Sequence, residues 1–435
     1  MAKAITNVRI YDYHQYIDNG YVVFDDTIIE VGEMADFQVK GYEIIDGSGK
    51  WLLPAFVVGH THIYSTFARG WITDFNPKNF QDILEQMWWK LDRSLNNKAT
   101  YYSGIVHAVD ALKNGVTTVI DHHASGADIT GSLNALKKSV TDKVGLRGLF
   151  CFETSDRFDV LAAINENIQF LTNNNTKMVG SHFGLHASMS LSEDTLKRVS
   201  KVIKHHPIHI HVAESDIDQK DALNKYNERV IHRLARHKLL NKDSIITHGL
   251  YMDEAEMDLV KKHQCVVALN VSSNMNNGVG LPNYHALKAK EIPVILGNDG
   301  LSTSISSEYL TLLYAMHLKD ASPNRFTLND IQKIMHDTYR YVSRRLGVQL
   351  GKIDKDYQAD FLLVPYTPPT PIHSENALGH IFYGLLSNFK PESVYINGVQ
   401  KVSNYRVSES LESMYKEALK VSENLWETIR NEGKQ

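Results

Sequence analysis

Trp51-Leu52-Leu53-Pro54-Ala55-Phe56-Val57-Val58-Gly59-His60-Thr61-His62 is the stretch on which the reading of the fold turns. Before it, the chain reads as short strands, Ala4 to Tyr11, Tyr21 to Phe24, Thr27 to Val31 and Tyr42 to Asp46, separated by polar turns such as Asp18-Asn19-Gly20 and Asp46-Gly47-Ser48-Gly49. From Trp51 onward, apolar strand candidates alternate with helix-period segments, the signature of βαβ units and a parallel sheet. The candidates are Leu52 to Val58, Thr117 to Asp121, Gly145 to Phe152, Met178 to Leu185, Ile208 to Val212, Ser244 to Thr247, Cys265 to Asn270 and Pro293 to Gly297. Helices are predicted at Ala99 to Asn114, Glu193 to His205, Gln219 to Lys238, Asp253 to His263, Ser306 to Lys319 and Thr327 to Leu346.

Eight β/α units over roughly 300 residues match a TIM (β/α)8 barrel in count and length. A doubly wound open sheet is the second reading, because alternation fits both. No Gly-x-Gly-x-x-Gly follows a strand and no phosphate-cradling P-loop occurs, which argues against nucleotide-binding versions. After Leu350 short strands return, Phe361 to Pro365, Ser393 to Ile396 and Val399 to Val402, the last two joined by Asn397-Gly398. Glu409 to Arg430 reads as a polar surface helix. The expected organisation is therefore α/β, a barrel over residues 54–352 and a small composite β-sandwich domain built from both chain ends, residues 1–53 and 353–435.

Composition narrows the function. The 435 residues are 43% hydrophobic and 22% charged, with a formal net charge of −4. That balance offers no basic excess for nucleic acid and no acidic excess for disorder. Two cysteines, Cys151 and Cys265, sit in apolar runs and suit reduced thiols better than a disulfide framework. Met1 to Asn7 lacks a basic segment followed by an apolar stretch, and about 18 uninterrupted apolar residues occur nowhere, so a soluble cytoplasmic protein without membrane partners is expected.

The 21 histidines carry the most information, because several fall where apolar runs end. His60 and His62, at i and i+2 of a strand, project to one face about 6.6 Å apart. His209-Ile210-His211-Val212-Ala213-Glu214 delivers a histidine and then a carboxylate; Thr247-His248-Gly249 and Leu296-Gly297-Asn298-Asp299-Gly300 follow two more strands. Singly, each also fits a polar residue ending a strand or turn. Together, in a barrel whose strands all open on one face, they meet in one pocket. Three histidines and an aspartate with a position left for water suit a catalytic ion, whereas a structural site would be closed and thiolate-rich.

At these residues the chain resembles the amidohydrolase superfamily: Leu53-Pro54-Ala55-Phe56 through His60-Thr61-His62, then His-Val-Ala-Glu, Thr-His-Gly, Gly-Asn-Asp-Gly and Ser273-Asn274-Met275. It is most similar to the aminohydrolase branch that includes guanine and S-adenosylhomocysteine deaminases and triazine hydrolases. Ser65-Thr66-Phe67-Ala68-Arg69-Gly70 and Trp88-Trp89-Lys90-Leu91-Asp92-Arg93 further resemble the SsnA-type aminohydrolases. The resemblance implies that His60, His62, His211 and Asp299 bind one divalent metal ion, zinc with iron as the alternative, and that Glu214 and His248 form the acid/base pair. His186 matches a substrate-binding position. Ala55 replaces the family's usual glycine, and Asn270-Val271-Ser272 replaces a more usual polar lead. Two-metal relatives bridge their ions with a lysine, and Met178 to Met189 contains none.

The expected chemistry is hydrolytic deamination of a nitrogen heterocycle (purine, pterin, pyrimidine or related amidine) by metal-activated hydroxide, releasing ammonia. Asp299 would accept the water's proton, His248 would orient the nucleophile, and Glu214 would protonate the ring. Burial raises the pKa of Glu214 while the ion lowers it, and the net sign stays open. A same-fold hydrolase acting on a C–Cl or cyclic amide bond is the alternative; a non-catalytic scaffold is a third reading. Arg69 and Trp89 are candidate substrate contacts in the long first loop, with helix packing equally open for Trp88 and Trp89. His122 and His123 are expected to support the pocket, and His205, His206 and His209 to be surface or structural. The partner is a small heterocyclic substrate, and the resemblance suggests a homodimer.

Overall fold

The computed structural model describes residues 2–71 and 73–432. The domain bounds drawn at residues 1 and 435 lie outside them. The chain forms two compact units, one of residues 1–57, 108–118 and 303–412, the other of residues 58–107, 119–302 and 413–435.

The first unit holds an eight-stranded mixed sheet drawn from both ends of the chain, in the order Val399–Val402, Ser393–Ile396, Phe361–Pro365, Lys50–Pro54, Lys3–Tyr11, Tyr16–Phe24 and Ile28–Glu33. The expected sandwich is instead one hydrogen-bonded sheet. It splits at its first strand: residues 3–6 pair with Glu43–Asp46 and residues 9–10 with Lys50–Pro54, both parallel. Ile5, Ile10, Val22, Phe24, Leu52, Phe361, Leu363 and Tyr395 alternate onto its buried face, with Phe24 edge-on to Phe361 at 4.9 Å.

The deciding stretch divides where a single strand was expected. Lys50–Pro54 stays in the mixed sheet, and Phe56–Thr61 starts a second, four-stranded sheet with Val116–His123, Arg147–Phe152 and Val179–Ser181. Proline offers no N–H to continue a ladder, and beyond it Ala55 N bonds Asp360 O while Phe56 N bonds Gly115 O. Likewise Met178 to Leu185 is two strands. Val179–Ser181 pairs with Arg147–Phe152, and Phe183–Ala187 begins a five-stranded parallel sheet with Ile208–Val212, Ile245–His248, Val266–Leu269 and Val294–Leu296. Parallel bridges join Thr61 to Asp299 and Thr154 to Leu185.

The helix expected over Gln219 to Lys238 is two, Asp216–Tyr226 and Val230–Arg236, broken where Asn227 turns left-handed at φ 53°. The final helix, Glu409–Glu432, is not purely a surface element. Ala418, Val421, Leu425 and Ile429 pack on Tyr64, Phe67, Leu91 and Leu95, and Trp426 Nε1 donates to Phe67 O at 2.7 Å. Burying such a stripe stabilises by about 1.5–3 kcal/mol for each large side chain, and it buttresses the segment that follows His62. No described helix is long and apolar enough to cross a membrane.

Candidate metal and catalytic site

Backbone bonds bring the first and last strands of the second unit together. Asn298 N and Asp299 N both donate to His60 O, at 3.0 and 3.2 Å, and His62 N donates to Asp299 O at 3.2 Å. Gly297 permits this approach, since a Cβ there would lie 2.5 Å from His60 O and 2.4 Å from Asn270 Oδ1. At the strand ends Ala213, His248 and Asp299 all adopt left-handed backbone, φ 47°, 69° and 54°. Such conformations cost about 1 kcal/mol or more outside glycine, and they cluster where function needs a side chain re-aimed.

The result is a tight group. His62 Nε2 is 3.1 Å from both His211 Nε2 and Asp299 Oδ1, and His60 Nε2 is 3.6 Å from Asp299 Oδ1. One ligand atom from each of His60, His62, His211 and Asp299 lies within 4.8 Å of all the others. Zinc–nitrogen bonds of about 2.0–2.1 Å give tetrahedral edges of about 3.3 Å, so the group fits a divalent ion. The tautomers fit too. His62 Nδ1 donates to His122 O at 2.6 Å and His211 Nδ1 to His186 O at 3.2 Å, which leaves each Nε2 as a lone pair facing the centre. His60 Nε2 is buried without a hydrogen-bond partner, a costly state unless a ligand occupies it.

Next to this group, His248 Nε2 faces Glu214 Oε2 at 3.4 Å and Asp299 Oδ2 at 3.8 Å. Its Nδ1 donates to Asn274 Oδ1 at 2.8 Å. Ser273 Oγ donates to Asp299 Oδ2 at 2.6 Å, and Asn277 Nδ2 to Glu214 Oε1 at 3.2 Å. Burial pushes the Glu214 carboxyl above its ordinary value; His248 opposes the shift and Asp299 adds to it. Among the protein's own groups, the sign left open by the sequence is thus upward. Burial also acts to raise Asp299, but the imidazoles of His60 and His62 outweigh it and hold that carboxylate well below its usual range.

A pocket of about 870 Å³ is lined by His62, His211, Glu214 and Asp299, together with Tyr64, Phe80, Leu84, Trp88, Trp89 and Leu301. His186 lines it, but its ring nitrogens already face Ser190 Oγ at 2.5 Å and Glu153 Oε1 at 3.3 Å. Trp89 lies over the Arg157 guanidinium, 4.9 Å from its centroid. Arg69 is exposed and is not among the residues that line the pocket.

The sequence reading missed Glu153 and Arg157. Glu153 is buried beside His122 and His186, and Arg157 joins it at 3.0 Å to Asp92, also at 3.0 Å. Burial opposes ionisation of Glu153, yet His186, His122 and Arg157 together hold it well below the ordinary range. Its signal was present: Glu153 directly follows the apolar strand Arg147–Phe152, as Asp299 closely follows Val294–Leu296. His209, expected to be surface or structural, is fully buried with its Nε2 2.8 Å from His60 Nδ1.

The chain is 26% identical over 412 residues to the 5-methylthioadenosine/S-adenosylhomocysteine deaminase of Bacillus cytotoxicus, covering 92% of this chain and 93% of that protein. Among solved structures it is similar to an adenosine deaminase from Xanthomonas campestris with bound zinc, at a TM-score of 0.84, 18% identity and 98% coverage of both chains. A variant of atrazine chlorohydrolase from Arthrobacter aurescens, complexed with zinc and atraton, superposes at 0.82 with 17% identity over 96% of this chain and 99% of that one. The Amidohydrolase family pattern matches residues 51–401. The chain belongs to the amidohydrolase family.

Proposed function

We propose that the protein is a zinc-dependent aminohydrolase that releases ammonia from a nitrogen heterocycle, within a closed (β/α)8 barrel spanning residues 54–352 and a small β domain contributed by both chain ends. The bridges Thr61–Asp299 and Thr154–Leu185, which link the two parallel sheets at both edges, support closure. The observation that carries the chemistry is the partly buried Glu214 carboxyl, raised in pKa and 3.4 Å from His248, next to the three imidazoles and Asp299.

His60, His62, His211 and Asp299 would hold the ion. A divalent metal bound there supplies the acidity that brings water's pKa from 15.7 to roughly 7. Asp299, kept ionised by its imidazole neighbours and oriented by Ser273, would accept a proton from the attacking water. Glu214, made a weaker acid by its burial, would reach the substrate's ring nitrogen and give up its proton as the amine-bearing carbon becomes tetrahedral. His248, fixed by Asn274, lies within 4 Å of both carboxylates, so a proton taken at Asp299 has a short route back to the leaving amine. Asn277 fixes Glu214 from the other side.

The B. cytotoxicus relative is named for adenine nucleosides with sulfur substituents, and we place adenine-type purines first among substrates, their substituent lying toward Trp88, Trp89 and Leu301. Two unpaired, buried cysteines fit a reducing cytoplasmic setting. In an ammonia assay, Glu214→Gln should retain its metal and lose about 10²–10⁴-fold in turnover; unchanged turnover would refute the assigned role. Chloride released without ammonia would favour the C–Cl reading.

A further inference from the structure

Each imidazole of the metal group has its second nitrogen committed, but to different kinds of partner. His62 and His211 donate to backbone carbonyls, which no substitution removes. His60 instead meets a side chain, His209 Nε2, at 2.8 Å. Behind it, His209 Nδ1 lies 3.6 Å from Cys151 Sγ, and Cys151 Sγ lies 3.5 Å from Asp121 O. His60, His209 and Cys151 are all fully buried.

Only one proton order both satisfies this chain and frees His60 for a metal. Asp121 O is a carbonyl and can only accept, so Cys151 S–H donates to it. His209 Nδ1–H then donates to the thiol sulfur, and His60 Nδ1–H donates to His209 Nε2. The lone pair of His60 is thereby left on Nε2, the buried nitrogen without a hydrogen-bond partner. In the reverse order His209 would donate to His60, the His60 proton would sit on Nε2 facing Asp299 at 3.6 Å, and ligation would be blocked. The backbone of His209 is held as well, its carbonyl accepting from His122 Nε2 at 3.1 Å.

We propose that His209 is a positioning residue that sets the tautomer and ring orientation of His60, with Cys151 as the next link. The inference rests on the metal-site reading above. It does not require His209 to touch substrate.

The test is zinc affinity of the full-length protein, measured by competition with a chromophoric chelator. His209→Leu, which keeps the bulk but offers no acceptor, should weaken zinc binding about 10–100-fold. His209→Gln, whose amide oxygen can accept the Nδ1 proton, should recover most of that loss. Equal affinity in the Leu variant would overturn this inference alone, as would an equally large loss in Gln, which would mark a packing role. A parent protein that binds no zinc would overturn the metal site and this inference with it. Should the Leu variant fail to fold, nitrogen-15 spectra of the histidine-labelled parent decide the matter. Nδ1–H tautomers for both His60 and His209 support the proposal, and Nε2–H on either one overturns it.

Discussion

The pocket has two walls built on different principles. On the metal side, His60, His62, His211 and Asp299 come from strand ends and are aimed by neighbouring strands, through carbonyls of His122 and His186 and backbone bonds between residues 60–62 and 298–299. Directly beside it, Asp92, Glu153, Arg157 and His186 hold one another through side chains, with the Arg157 guanidinium over the Trp89 ring. The first wall is fixed by register and tolerates no charge change; the second is a cross-linked set of charges whose composition can vary without moving the strands. Catalytic power should therefore depend on the first wall, and stability and substrate fit on the second.

The largest effect expected is at the metal wall. His211→Ala should abolish zinc binding and reduce turnover to background while leaving the far-ultraviolet circular dichroism unchanged; a variant that keeps stoichiometric zinc would show that the ligand set is wrong. Glu153→Gln, in the charged group beside it, should keep its zinc but lose about 3–5 kcal/mol of stability, because Arg157 loses one of its two buried anionic partners. Thermal melting with metal analysis on the same sample separates the two walls, and coupled loss of metal and stability would erase the distinction.

Trp89→Ala removes the aromatic face over Arg157, worth about 0.5–2 kcal/mol. It should raise KM several-fold with kcat nearly unchanged, whereas a drop confined to kcat would place Trp89 with the chemistry instead.

The smallest effect lies behind the second wall. Arg233 donates to Ser188 O and Leu191 O, fixing the turn after His186, and is itself paired with Glu193. Burial acts to raise Glu193, but Arg236, Arg233 and His237 bring its pKa down to about 2. A carboxylate with a depressed pKa contributes stability that is present above its unfolded value, near 4.5, and fades as pH falls toward 2. The melting-temperature deficit of Glu193→Gln should accordingly be largest at neutral pH and shrink below pH 4.5. A deficit that grows on acidification would contradict the pairing.

The same contrast explains what could be read from the sequence. The metal wall announces itself, because histidines end three strands and an aspartate follows a fourth, and period-2 spacing orients His60 and His62 together. Glu153 and Arg157 follow a strand in the same way, yet a carboxylate and an arginine four residues apart at a loop carry no such spacing signal. For His209 the sequence left surface and structural roles open for a related reason. It alternates with His211 on one strand, and its value depends on a contact with His60, 149 residues away. The division of Leu52 to Val58 into two strands likewise depends on partners, Gly115 and Asp360, that lie far along the chain. Apolar periodicity located the elements, and tertiary pairing decided where they end.

Zinc titration of metal-stripped protein, followed by ammonia release from an adenine nucleoside, tests the central claim most directly. Activity should rise from background with the first equivalent and level off at one ion per chain. Turnover without metal, or a plateau reached only at two equivalents, would contradict the single His/Asp site on which the account rests.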